Sequence, residues 1–96
     1  MMDKIREVVI FGRKGCHLCE TVEAEIRSIK EIKISLTVVD IDRDPALQAK
    51  YLTRVPVVVV GGRETFEAKM MDIEGEWKEK LIATLALAED FSRRQP

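Results

Sequence analysis

Apolar residues change their period several times along this chain, and each change marks an element. Residues 5–11, Ile-Arg-Glu-Val-Val-Ile-Phe, are β-branched with an aromatic end and read as a buried strand, its body at about 7–11. Leu18, Val22, Ile26 and Ile29 then recur at helical spacing and predict a helix over about 17–30. Glu20, Glu23 and Glu25 fall early in it and Lys30 falls late, as the helix macrodipole prefers. From Ile34 to Ile41 alternation passes into a continuous apolar run, which predicts a strand buried along most of its length. Asp44-Pro45 is a helix start, with Asp44 as N-cap and Pro45 at the first helical position, and it opens a short helix over about 45–52 with Leu47 and Tyr51 on one face.

The second half of the chain is punctuated as clearly. Residues 53–60, Thr-Arg-Val-Pro-Val-Val-Val-Val, predict a fully buried central strand, with Pro56 confined to its first residue or an edge because it has no N–H to donate. Gly61-Gly62 is a two-residue hairpin signal, so a fourth strand over about 64–68 should run antiparallel to the third. Asp72 is the candidate N-cap of a last helix over about 73–91, which buries Ile73, Trp77, Leu81, Leu85 and Ala88. Gly75 weakens its start by up to about 1 kcal/mol relative to alanine. Residues from about 92 should fray. The order is β-α-β-α-β-β-α, an α/β fold with a four-stranded mixed sheet flanked by helices on both faces.

Length and composition narrow the function classes. Ninety-six residues suggest one domain over 1–96, large enough to bury a core without staples. The chain is 46% hydrophobic and 34% charged with a net charge of −1, so neither nucleic acid nor a membrane surface is an expected partner. The N-terminal residues lack the apolar stretch of a signal peptide, and the run from Val55 to Val60 is too short to span a bilayer. A cytoplasmic location is therefore expected, where a Cys-x-x-Cys pair is more often redox-active or metal-binding than structural.

The candidate chemistry lies where the first strand hands over to the first helix, in Phe11-Gly12-Arg13-Lys14-Gly15-Cys16-His17-Leu18-Cys19-Glu20. A first helical turn offers unpaired N–H groups and the positive end of the macrodipole, so a thiolate at Cys16 is favoured there, with Arg13 and Lys14 adding positive charge. Cys19 follows three residues on, on the same helix face, one turn deeper and able to attack Cys16. Gly12 and Gly15 let the backbone approach a partner closely. His17 reads either as an exposed first-turn residue or as an imidazole that tunes the thiolate. Met70-Met71 reads as core filling or as an adaptable rim beside the thiols. A phosphatase loop is excluded because Val22, six after Cys16, stands where arginine would be needed, and no nucleotide-binding glycine motif occurs.

With Cys16-His17-Leu18-Cys19 after a first strand, Val55-Pro56 before the third and Gly61-Gly62 between the last two, the chain resembles a glutaredoxin-like member of the thioredoxin-fold superfamily from Val8 to about Phe91. The resemblance implies a thiol–disulfide oxidoreductase, with Cys16 as nucleophile and Cys19 as resolving thiol. It also implies a cis bond before Pro56, facing the cysteines, with the Val55 backbone pairing to substrate like an added strand. The expected substrate-binding set is Arg13, Lys14, His17, Val55, Pro56 and Asp72. A disulfide-bearing protein or small thiol would be the substrate, and an external thiol the reductant. No cofactor is implied beyond the redox-active disulfide. Two departures bear on this. Lys69-Met70-Met71-Asp72-Ile73 lacks the Gly-Gly of a glutathione site, so weak or no specific glutathione recognition is expected. Ile10 stands where the thioredoxin branch has a buried acid. The alternative reading is an iron–sulfur or metal carrier that shares its Cys-x-x-Cys thiols between two subunits, since one chain offers too few ligands alone.

Overall fold

The computed structural model describes residues 5–71 and 76–87. In chain order the elements are β1 (Ile5–Gly12), α1 (His17–Arg27), β2 (Lys33–Asp40), α2 (Pro45–Tyr51), β3 (Val57–Val60), β4 (Arg63–Glu67) and α3 (Glu76–Leu87), with short 3-10 turns at Ile41–Arg43 and Ala68–Met71. The strands form one sheet in the order β2-β1-β3-β4. β1 runs parallel to β2 and antiparallel to β3, and β3 runs antiparallel to β4. This is the mixed sheet that the element order predicts.

The four consecutive valines are explained by the two faces of the sheet. Val58 and Val60 enter the larger core with Val8, Ile10, Val22, Ile26, Trp77, Leu81 and Leu85, beneath α1 and α3. Val57 packs on the other face with Ile41 and Tyr51 of the α2 side, and Val59 and Phe11 lie against them. A central strand covered on both faces has no side that favours polar residues, so its apolar run is unbroken. Fully burying one such side chain contributes about 1.5–3 kcal/mol.

β2 corrects an expectation. It is the edge strand, none of its eight residues is fully buried, and Val38 keeps 45% of its surface. Ile34 and Leu36 are only partly buried against the larger core. The fully buried member of the predicted run is Ile41, which has left the sheet for the 3-10 turn. An apolar run reports that side chains avoid water on the faces; it does not report whether a strand has neighbours on both edges.

Local signals placed the remaining joints. Asp44 caps α2, its side chain accepting from Ala46 N–H at 2.9 Å, and Pro45 follows at the first position. Gly61 and Gly62 have φ of +59° and +83°, the left-handed pair that a tight hairpin needs. α1 stops at Arg27, short of the expected 30, because the Ser28 hydroxyl donates to the Glu25 carbonyl at 2.6 Å and the Ile29 N–H turns to Ile26. In the β3–β4 ladder Val58 opposes Phe66 and Val59 opposes Glu64, so Thr65 is an extra residue, a bulge. Met71 is buried and Met70 is half exposed, so the methionine pair divides between core and surface. The expected cap Asp72, and with it Ile73, Gly75, Ala88 and the tail, lies outside the described residues. Among the described residues no helix is long and apolar enough to cross a membrane.

Candidate active site

Three segments meet at one end of the sheet. Gly12, the last residue of β1, is level with Asp40 of β2, and Phe11 is level with Val57 of β3. The loop from Arg13 to Cys16 therefore leaves the sheet with the Ile41–Arg43 turn on one side and Val55-Pro56 on the other. The Val55-Pro56 bond is cis, the form that the resemblance implies. Gly15 supplies a φ of +78°, which other residues reach only at a cost, and so aims the loop into α1.

Cys16 is the N-cap of α1 and Cys19 sits in its first turn, joined to it by a disulfide with Cα atoms 5.2 Å apart. Cys16 Sγ accepts the Cys19 N–H at 3.1 Å. The Cys16 carbonyl accepts the Glu20 N–H at 3.1 Å, the first bond of the helix. The two sulfurs have different surroundings: Cys16 is partly exposed, whereas Cys19 is 7% exposed and belongs to the buried set. A helix start thus presents one sulfur to solvent and holds the other beneath it.

The other predicted site residues distribute as follows. Arg13 turns its Nε to Asp42 Oδ2 at 3.1 Å, and Gln48 donates to the other oxygen of Asp42 at 2.8 Å. Arg13 is thereby tied to the 3-10 turn. Lys14 and His17 are exposed. Arg13, Lys14 and Cys19 share the wall of a cleft of about 310 Å³ with Val38, Asp40 and Arg43. Pro56 is buried and Val55 partly so, and the Val55 N–H donates to the Tyr51 carbonyl at 3.1 Å. A chain laid beside Val55 would therefore have to use its carbonyl. Asp72 lies outside the described residues.

Sequence reasoning missed the clamp behind the proline. Arg54 grips both Glu64 and Glu67 of β4, its Nη2 lying 2.9 Å from Glu67 Oε1. The bulge at Thr65 makes this geometry: Glu64 opposes Val59 and Glu67 opposes Val57, so two residues three apart share the face that carries α2. Tyr51 is 4% exposed, donates its hydroxyl to Glu64 at 3.1 Å and stacks on Phe11 at 4.6 Å between ring centroids. Hydrogen bonding by the Arg54 guanidinium, opposed by some desolvation and aided by Tyr51, holds the Glu64 carboxyl below the usual glutamate range. The bonds to Glu64 and Glu67 raise the Arg54 guanidinium in turn. The one available signal was an arginine directly before Val-Pro with two glutamates in the next strand, and it has meaning only once the strands are paired.

Comparison with known proteins agrees with this geometry. The Glutaredoxin-like domain (DUF836) family matches residues 7–86. The solution structure of protein Ne2328 from Nitrosomonas europaea is similar at 30% identity and a TM-score of 0.69, covering 88% of this chain and 95% of that one. No curated protein matches the chain. The four-stranded mixed sheet with three helices is a thioredoxin-like arrangement. With its Cys16–Cys19 pair at the start of α1 and a family match across most of its length, the chain belongs to the glutaredoxin-like domain family.

Proposed function

We propose that the protein is a thiol–disulfide oxidoreductase. The observation that carries this reading is the Cys19 N–H donated to the partly exposed Cys16 Sγ at the start of α1, above a buried Cys19 sulfur. After reduction that same amide, with the positive end of the helix, favours the Cys16 thiolate. The thiolate attacks one sulfur of a substrate disulfide, a mixed disulfide forms, and the other substrate sulfur leaves as a thiolate. Cys19, deprotonated, then attacks the Cys16 sulfur and expels the second substrate thiolate. The Cys16–Cys19 disulfide remains, the substrate has gained two electrons, and an external thiol reductant resets the pair.

Substrates in this reading are disulfide-bearing proteins or small thiol compounds, docked beside Val55-Pro56 with Arg13, Lys14 and His17 at the rim. Reset by glutathione or by a protein reductase fits the same chemistry. The reduction potential belongs at about −180 to −270 mV, the span of related dithiol proteins. The test has two parts. Alkylation of the reduced protein should show one thiol whose rate rises with a midpoint below about pH 7.5, against about 8.5 for a free thiol. Cys19→Ser should accumulate a mixed disulfide at Cys16 that the parent protein resolves. A midpoint near the free value together with no trapped adduct would defeat the proposal.

A further inference from the structure

Gly12 is a glycine for which the backbone has no need. It ends β1 opposite Asp40, and its φ lies outside the left-handed region occupied by Gly15, Gly61 and Gly62. A strand end of that kind accepts any residue. What a side chain would meet is the active-site sulfur: a Cβ at Gly12 would lie 3.2 Å from Cys19 Sγ and 3.3 Å from Cys19 Cβ. Both are shorter than the roughly 3.5–4.0 Å of a comfortable contact between heavy atoms.

We infer that Gly12 is a positioning residue for the redox pair, and that its missing side chain selectively stabilises the Cys16–Cys19 disulfide over the dithiol. The inference rests on the exchange reaction proposed above. The asymmetry comes from the bond itself. In the disulfide, Cys19 Sγ is held by Cys16 and cannot turn away from residue 12. In the dithiol that bond is gone, and Cys19 can move to another staggered rotamer and shed the sulfur contact. The Cβ contact persists in both states and cancels from the equilibrium. A methyl group at residue 12 therefore penalises the oxidised form more than the reduced form and makes the couple more oxidising.

The experiment equilibrates the parent protein and Gly12→Ala with mixtures of reduced and oxidised glutathione. In that reaction two protein thiols become one disulfide as one oxidised glutathione becomes two reduced molecules. The readout is the disulfide fraction, trapped by alkylation and weighed by mass spectrometry. Overpacking of this size should lower the equilibrium constant for disulfide formation about threefold to thirtyfold, which is about 15 to 45 mV at roughly 29.6 mV per tenfold for a two-electron couple. A role in packing alone would destabilise both forms equally and leave that constant within twofold of the parent, which would overturn the inference. A parent protein with no reversible couple at all would instead overturn the oxidoreductase reading. If oxidised Gly12→Ala fails to fold, the same variant is examined in excess dithiothreitol, where the Cys16–Cys19 bond is absent. Folding restored on reduction supports the inference, and equal failure in both states overturns it.

Discussion

The Cys19 N–H and the Cys16 sulfur are 3.1 Å apart, so the atom proposed to do the chemistry is also the acceptor that closes the first turn of α1. A nucleophile that doubles as a helix cap ties activity to local stability in a way that two substitutions separate. Cys16→Ser keeps an oxygen acceptor at the cap and removes the thiol, so exchange is lost while the fold is retained. Cys16→Ala removes both, and should be less stable than Cys16→Ser by about 1 kcal/mol in urea unfolding, the usual worth of a capping side chain. Equal stabilities would show that the cap is idle.

His17 occupies the first position of α1 and is exposed, so proline fits there without loss of helix. If its imidazole supports the Cys16 thiolate, removing it disfavours the reduced form. His17→Pro should then move the measured potential to more negative values by about 10 to 30 mV, up to roughly a tenfold change in the exchange constant. An unmoved potential would leave His17 as a solvated neighbour of the site.

Acid should loosen the clamp behind Pro56. The folded Glu64 carboxyl titrates below its ordinary value of 4.5, chiefly through its bond to Arg54. A depressed folded pKa means that stability is present above the unfolded value and is lost as pH falls through the folded one. The melting temperature of the parent should thus decline below about pH 4.5, with part of that decline missing in Glu64→Gln. Identical acid limbs in the two proteins would remove Glu64 from the account.

Core and edge should answer differently to substitution. Leu81 is fully buried beneath the sheet, and Leu81→Ala should cost about 2–5 kcal/mol in chemical denaturation. Val38 keeps 45% of its surface on β2, and Val38→Thr should stay within about 0.5 kcal/mol of the parent. A large loss at Val38 would mean that its side chain is covered in solution.

What could be read from the residues alone was what short-range chemistry dictates. Asp44-Pro45 specifies a helix start wherever it occurs, Gly61-Gly62 specifies a left-handed pair, and Cys16 to Cys19 spans one helical turn. The apolar period placed Trp77, Leu81 and Leu85 inside, and the structure has them there. The features that escaped all depend on partners distant in sequence. Whether β2 is central or edge is settled by β3 taking the far side of β1, which no residue in 33–40 encodes. Thr65 becomes a bulge only when β4 is laid against β3, and without it Glu64 and Glu67 would face opposite ways. Arg13 shares a cleft wall with Cys19, and the acid that holds it there, Asp42, arrives with a turn that hydrophobic periodicity does not foresee.

Arg54 adjoins Val55-Pro56 in the chain and is anchored at its other end to Glu64 and Glu67. On the proposed function, a substrate that presses on the proline loop should pull through Arg54 on the hairpin that follows it. β4 is in effect a gauge needle attached to the proposed docking edge: deuterium uptake at its amides should register occupancy there, even for visitors that never exchange a sulfur.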